Sequence, residues 1–222
     1  MIEIKDWGLT EYEDALVRQR EIFGKMVAQK KEHLSPPNGY LILTEHYPVI
    51  TLGKHAKPEN VIQGSTALAQ HNIKVIEIER GGDVTCHEPG QLVVYPIIDL
   101  LSYRLGVKKY VELLEECVIQ TLQKFGIVGE RVDGAPGVWI VREGSKEKIC
   151  ALGIKCSHYC TMHGIALNVC NDLATFRNIN PCGFTEYGVT SMRREMEKDI
   201  TVEEVKSAFA ATFLSLILPL KE

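Results

Sequence analysis

Within residues 127–170, three runs, GVWIV (137–141), KICALGIK (148–155) and MHGIALNV (162–169), are set apart by Gly-containing or charged turns. Each is apolar and of strand length, so the stretch predicts three successive β-strands. Towards the N-terminus, residues 107–125 carry Tyr110, Val111, Leu114, Cys117, Val118, Leu122 and Phe125 as one apolar stripe of a helix, with Cys117 in the core. Before it, LVVYPII (92–98), KVIEIE (74–79), YPVITLG (47–53) and YLILTE (40–45) read as strands, the last following the loop signal Ser35-Pro36-Pro37-Asn38-Gly39. A first helix is expected from the T-x-x-E capping box of Thr10 and Glu13 to about Lys31, with Tyr12, Leu16, Phe23, Met26 and Val27 on one face. A second box, Thr201 with Glu204, opens a last helix whose apolar tail packs on the sheet. Strands, a helix, strands again and a terminal helix predict an α/β domain of the mixed, α+β kind, without regular βαβ alternation. No repeat or linker divides the 222 residues, so a single domain, 1–222, is expected.

Composition narrows the function. A hydrophobic share of 45%, a charged share of 24% and a net charge of −4 describe an ordinary globule with no footprint for nucleic acid. Seven cysteines (86, 117, 150, 156, 160, 170 and 182) form no CxxC pair, and an odd count cannot close fully into disulfides, which fits a reducing cytoplasm. Cys156, Cys160 and His163 come nearest to a metal pattern, but on an extended segment their side chains do not converge, and buried structural cysteine is the plainer reading. The first residues carry Glu3, Asp6, Glu11, Glu13 and Asp14, unlike a signal or transit sequence. The longest apolar stretch, FLSLILPL (213–220), falls short of the ~18 residues of a membrane span. The chain is therefore expected to be neither exported nor inserted.

Four stretches carry candidate chemistry, each with a plainer alternative. In RGGDVTCHEPGQ (80–91) the two glycines let backbone N–H groups approach a ligand, with Arg80 and His87 as polar handles; the alternative is a Gly-rich hairpin with a solvated Arg. It is neither a Walker A loop nor G-x-G-x-x-G. In KICALGIK, period-2 alternation puts Lys148, Cys150, Leu152 and Ile154 on one face and Ile149, Ala151, Gly153 and Lys155 on the other, and Lys148 either snorkels or sits in a site. Gly164 and Ala166 share a strand face, forming a smooth wall for a chain-like ligand or a surface for close packing. In NPCG (180–183), Pro181 and Gly183 force a loop around Cys182, which is either an activated nucleophile or an idle loop thiol.

Together, in this order, RGGDVTCHEPGQ, KICALGIK, HGIALNV and NPCG resemble the lipoyl(octanoyl) transferase family, and TLGKHA (51–56) is similar to a further family element. The resemblance spans most of the chain. It implies the α/β fold shared with biotin and lipoate protein ligases, class II synthetase-like, and no cofactor. The implied reaction moves an octanoyl group from octanoyl-acyl carrier protein to a lysine of lipoyl domains of 2-oxoacid dehydrogenase E2 subunits, or of the glycine-cleavage H protein. It further implies Cys182 as the nucleophile that becomes a thioester and Lys148 as its partner. The ammonium favours the thiolate, the oxyanion of the tetrahedral intermediate takes backbone N–H donors near Cys182, and a neutral Lys148 later accepts the proton of the incoming lysine. Substrate binding falls, by the same resemblance, to Arg80, Gly81, Gly82, Asp83, Val84, Thr85, Cys86 and His87, to Ala151, Leu152 and Gly153, and to Gly164, Ile165 and Ala166. Two positions depart from the family pattern: Cys86, usually aromatic, and Glu88, usually Gly. Cys86 is thereby expected as a second thiol near the site. The rival readings are an ATP-dependent lipoate or biotin ligase on the same fold, an amidotransferase between carrier proteins, and a non-catalytic acyl-binding module. No GRGRxGR-like loop supports the first, and an intact Cys182 and Lys148 argue against the last.

Overall fold

A computed structural model describes residues 1–34, 39–180 and 187–221. The expected strands alternate in side-chain direction, and that alternation builds two apolar layers on one sheet. In β2 (Gly39–His46), Leu41 and Leu43 face one layer and Ile42 the other; in β6 (Gln91–Ile97), Leu92 and Val94 oppose Val93, Tyr95 and Ile97. The sheet continues through β10 (Cys160–Asn168), β9 (Ser145–Ser157), β8 (Ala135–Arg142) and β7 (Glu130–Val132) and, with β1 (Ile2–Thr10) at its other edge, runs in the order β1-β2-β6-β10-β9-β8-β7. Helix α1 (Tyr12–Lys31) covers one face through Tyr12, Leu16, Phe23 and Met26, as its periodicity predicts. Helices α3 (Val107–Gln123) and α5 (Val202–Ile217) cover the other, with Cys117 fully buried between them. Thr201 and Glu204 form the expected capping box at α5.

A second, three-stranded sheet, β4 (Lys74–Glu77), β3 (Val49–Leu52) and β5 (Val84–His87), sits beside the first with its own small core, which includes Leu68 of α2 (Ser65–Gln70). Two short elements, β11 (Gly188–Val189) and α4 (Met192–Met196), precede α5.

The N-terminus departs from expectation. Ile2–Thr10 is an edge strand, β1, pairing in parallel with β2, and the Thr10–Glu13 box does not form. Glu11 is the N-cap without a side-chain cap, while the Thr10 hydroxyl lies 3.2 Å from that of Thr44 and 3.4 Å from Nδ1 of His46. Pairing with β2 outcompetes the local cap. Val84–His87 is likewise a strand within what read as a loop, because β3 pairs with it along its whole length. Residues 35–38 of the expected loop lie outside the described residues. No helix among the described residues is long and apolar enough to cross a membrane.

Candidate active site

Three of the four sequence blocks meet at a cavity between the sheet, α1 and the small sheet. It is lined by Arg80, Gly82, Asp83, Val84, Thr85 and His87 of the first block, by Lys148, Ala151, Leu152 and Gly153 of the second, and by His163, Gly164, Ile165, Ala166 and Asn168 of the third. Tyr12, Val93, Tyr95, Pro136, Phe176 and Val189 complete the wall. Cys182 lies outside the described residues.

Lys148 reaches this cavity through a break in the strand. Across β8 and β9 the register runs Trp139↔Lys148 and then Val138↔Cys150, so Ile149 is the extra residue of a β-bulge. Ile149 and Cys150 both enter the core under α3 and α5, and Lys148 is returned to the side of Ala151. The simple alternation that put Lys148 with Cys150 and opposite Ala151 is thereby corrected. Gly137 makes room for the bulge: its φ is +113°, and a Cβ there would stand 2.4 Å from the carbonyl oxygen of Cys150. Lys148 is buried, with Nζ 4.5 Å from the centre of the Trp139 ring. Tyr187 meets the same indole edge-on at 5.3 Å. A lysine held over an aromatic face keeps a desolvated ammonium partly compensated.

Arg80 is buried rather than solvated. Its Nη2 donates to the carbonyl and hydroxyl of Thr51 at 2.9 and 3.0 Å, and its Nη1 to the carbonyl of Gly81 at 3.0 Å, so it pins the loop to β3 while lining the cavity. Gly153 permits this, since a Cβ would lie 2.8 Å from the Gly81 oxygen and 3.0 Å from Cδ of Arg80. Asp83 accepts from the backbone N–H groups of Val84 and Lys57 and, at 2.6 Å, from Nδ2 of Asn60. Asn60 in turn accepts from the backbone N–H of Asn180, two residues before Cys182.

His87 stacks on Tyr12 and has Nδ1 2.8 Å from Oε1 of Gln91; Gln91 donates to Asn168, and Asn168 to the carbonyl of Thr190. The backbone N–H of Thr190 donates to the carbonyl of Lys148, and β11 pairs in parallel with β9 at Val189↔Lys148. A single polar chain thus joins the first block, the third and the strand following Cys182. Burial pushes the imidazoles of His87, His46 and His163 down, to about 4 for His46 and about 3 for His163, so all three are neutral near pH 7.

Gly81 and Cys86 do not line the cavity. Gly81 donates to the carbonyl of Ile154 at the margin of β9. Cys86 faces the small core with Ile50, Leu68 and Phe176, its thiol directed at the carbonyl of Thr175 and its pKa pushed well up by burial. It is not a second thiol of the site. Glu88 has a structural post: its carboxylate accepts from Nδ2 of Asn171 at 2.8 Å and from the backbone N–H of Thr175 at 2.9 Å. Among the described residues no group of three or more His, Cys, Asp or Glu is arranged to hold a metal. Tyr12 and Tyr95 line the cavity and Trp139 carries Lys148, yet nothing in their local sequence separates them from core positions, whereas His163 heads the third block.

The fold is that of the lipoate and biotin protein ligases. The chain superposes with TM-score 0.71 and 14% identity on the bipartite lipoate protein ligase of Thermoplasma acidophilum, covering 97% of this chain and 83% of that one. A lipoate-protein ligase A solved with ATP gives 0.70 at 13% identity (98% and 85% covered), and the biotin protein ligase of Aquifex aeolicus 0.54 at 11% (99% and 72%). Residues 11–214 match the family described as the lipoyl protein ligase A/B catalytic domain. The chain is 44% identical to an octanoyltransferase of Bacteroides fragilis over 96% of both proteins. It is 46% identical to an octanoyltransferase of Porphyromonas gingivalis over 94% of its own length, spanning 43% of that relative. The chain belongs to this family, in its lipoyl(octanoyl) transferase branch, and is an acyltransferase by class.

Proposed function

We propose that the chain, acting as a single catalytic unit in the cytoplasm, transfers an octanoyl group from octanoyl-acyl carrier protein to a lysine of lipoyl domains or of the glycine-cleavage H protein. The observation that carries this reading is a lysine, Lys148, delivered by a bulge to one end of an apolar cavity. The names of the relatives supply the acyl group. Cys182 is the proposed nucleophile. The chain on either side of it is fixed at Asn180, bonded to Asn60, and at Tyr187, packed on the indole that carries Lys148.

In the first half-reaction the Cys182 thiolate, favoured by the Lys148 ammonium, attacks the donor's thioester carbonyl and expels the carrier thiolate, which takes its proton from that ammonium and leaves Lys148 neutral. In the second, the acceptor lysine's amine attacks the Cys182 thioester, the thiolate leaves, and the amine proton passes to a neutral Lys148. The cavity residues of the first block, with Ala151, Leu152, Gly153, Gly164, Ile165 and Ala166, hold the chain.

Incubation with octanoyl-acyl carrier protein followed by intact-mass measurement tests this directly. One octanoyl adduct labile to hydroxylamine is expected, absent in Cys182→Ala. Transfer to a lipoyl domain at the native rate by the Ala variant overturns the covalent route.

A further inference from the structure

Helix α3 sends into the fold a carboxylate that the proposed reaction does not use. Glu115 sits among Leu114, Cys117 and Val118 in the buried stripe and is only 8% exposed. A buried carboxylate is costly unless its oxygens are bonded. Oε1 accepts from the backbone N–H of Gly137 at 3.0 Å, and Oε2 from Nε of Arg131 at 3.2 Å. Arg131 is held in turn, with Nη2 donating to the carbonyl of Glu112 and to Oε2 of Glu116.

Both bonds fall where the sheet parts. β7 pairs with β8 at Glu130↔Trp139 and next at Val132↔Ala135, so Arg131 alone faces Pro136, Gly137 and Val138. The ladder skips Gly137, and the Glu115 carboxylate takes its N–H instead. Towards β9, Gly137 abuts the bulge, since its missing Cβ would stand 2.4 Å from the carbonyl oxygen of Cys150. Across the same segment Nε1 of Trp139 donates to the carbonyl of Ala135 at 2.8 Å, closing residues 135–139 into one unit. Lys148 rests on that indole, and Pro136 of the unit lines the cavity.

We infer that Glu115 is a positioning residue for the transfer: by holding the N–H of Gly137 it fixes the β8 segment against which β9 keeps its bulge and Lys148 its place on the cavity side. Without that hold the strands relax towards the unbulged register, with Val138 opposite Ile149. Alternation then carries Lys148 to the side of Cys150, away from Ala151. What matters is an acceptor at the reach of Glu115, not its charge. The inference rests on the reading of Lys148 as the partner of Cys182.

Two variants of the intact protein separate reach from charge. Glu115→Asp keeps the charge but draws the oxygens back by about 1.5 Å, out of range of Gly137. Glu115→Gln keeps an acceptor at full reach without the charge. The pH profile of Cys182 alkylation by iodoacetamide, followed by peptide mass, reads whether Lys148 still serves the thiol. Glu115→Asp should slow alkylation near neutral pH by roughly fivefold and move the midpoint of the profile upward, whereas Glu115→Gln should stay within roughly twofold of the wild type. In a Lys148→Ala background Glu115→Asp should add less than roughly twofold, because it acts through Lys148. Native kinetics in Glu115→Asp, equal slowing in the two variants, or full slowing in the Lys148→Ala background overturns the inference. If Glu115→Asp does not fold, amide exchange in the wild type decides: the N–H of Gly137 should exchange slowly although the ladder skips it, and fast exchange removes the bond on which the inference stands. Unchanged alkylation in Lys148→Ala alone would instead overturn the reading of Lys148 beneath it.

Discussion

Lys148 Nζ lies 4.5 Å from the centre of the Trp139 ring because one extra residue, Ile149, is inserted between two registered pairs of β8 and β9. The bulge converts a lysine that strand alternation would bury against helices into a cavity residue.

Lys148→Ala should slow iodoacetamide alkylation of Cys182 near neutral pH by about tenfold, the effect of raising a thiol pKa by about one unit. The reaction is readable by peptide mass mapping, because all six described thiols, Cys86, Cys117, Cys150, Cys156, Cys160 and Cys170, have pKa values raised chiefly by burial. Unchanged kinetics would remove Lys148 from the pair.

Gly137→Ala should destabilise the fold by about 3 kcal/mol, since the new methyl meets the Cys150 carbonyl at 2.4 Å on a backbone at φ +113°. It should also slow Cys182 alkylation as Lys148→Ala does, because it attacks the bulge. Gly24→Ala, in the middle of α1 with nothing within 4 Å of its Cβ, is the contrast and should stabilise by up to ~1 kcal/mol. Equal melting temperatures for the two variants would contradict this account.

Stability should fall on acidification through the histidines. His46 takes a proton near 6.5 when unfolded but only near 4 in the fold, so between those values the unfolded state binds more protons. Stability is full above about 6.5 and declines towards pH 4, by on the order of 3 kcal/mol for His46 alone. His87 and His163, also pushed down by burial, add to the same slope. Denaturant titrations from pH 7 to 4.5 should show a shallower decline in His46→Gln; an identical slope would show that His46 does not titrate as stated.

Glu88→Ala should lower stability by about 2 kcal/mol, read as a fall in melting temperature. It strands the buried N–H of Thr175, whereas Asn171 keeps its bond to Asn168. Glu88→Gln, which can still accept from Thr175, should cost less. Equal effects would mean the carboxylate's hydrogen bonds are not what holds this turn.

The sequence by itself determined the elements whose hydrophobic period is long and unbroken: α1, α3, α5 and the central strands, with the Thr201–Glu204 cap, and hence the mixed α/β class. It also brought out the four blocks, because glycines, lysines bracketing an apolar strand, and a cysteine set between proline and glycine are local signals. Edge strand β1 was hidden, since Ile2 is its only buried residue and its pairing with β2 is a long-range event. Only the tertiary structure decided which side chains enter the cavity. Lys148 and His163 both break period-2 alternation, one through a bulge and the other through a left-handed residue. Those breaks are imposed by neighbouring strands and by the packing of Ile149 and Met162, which no pattern along a single strand contains.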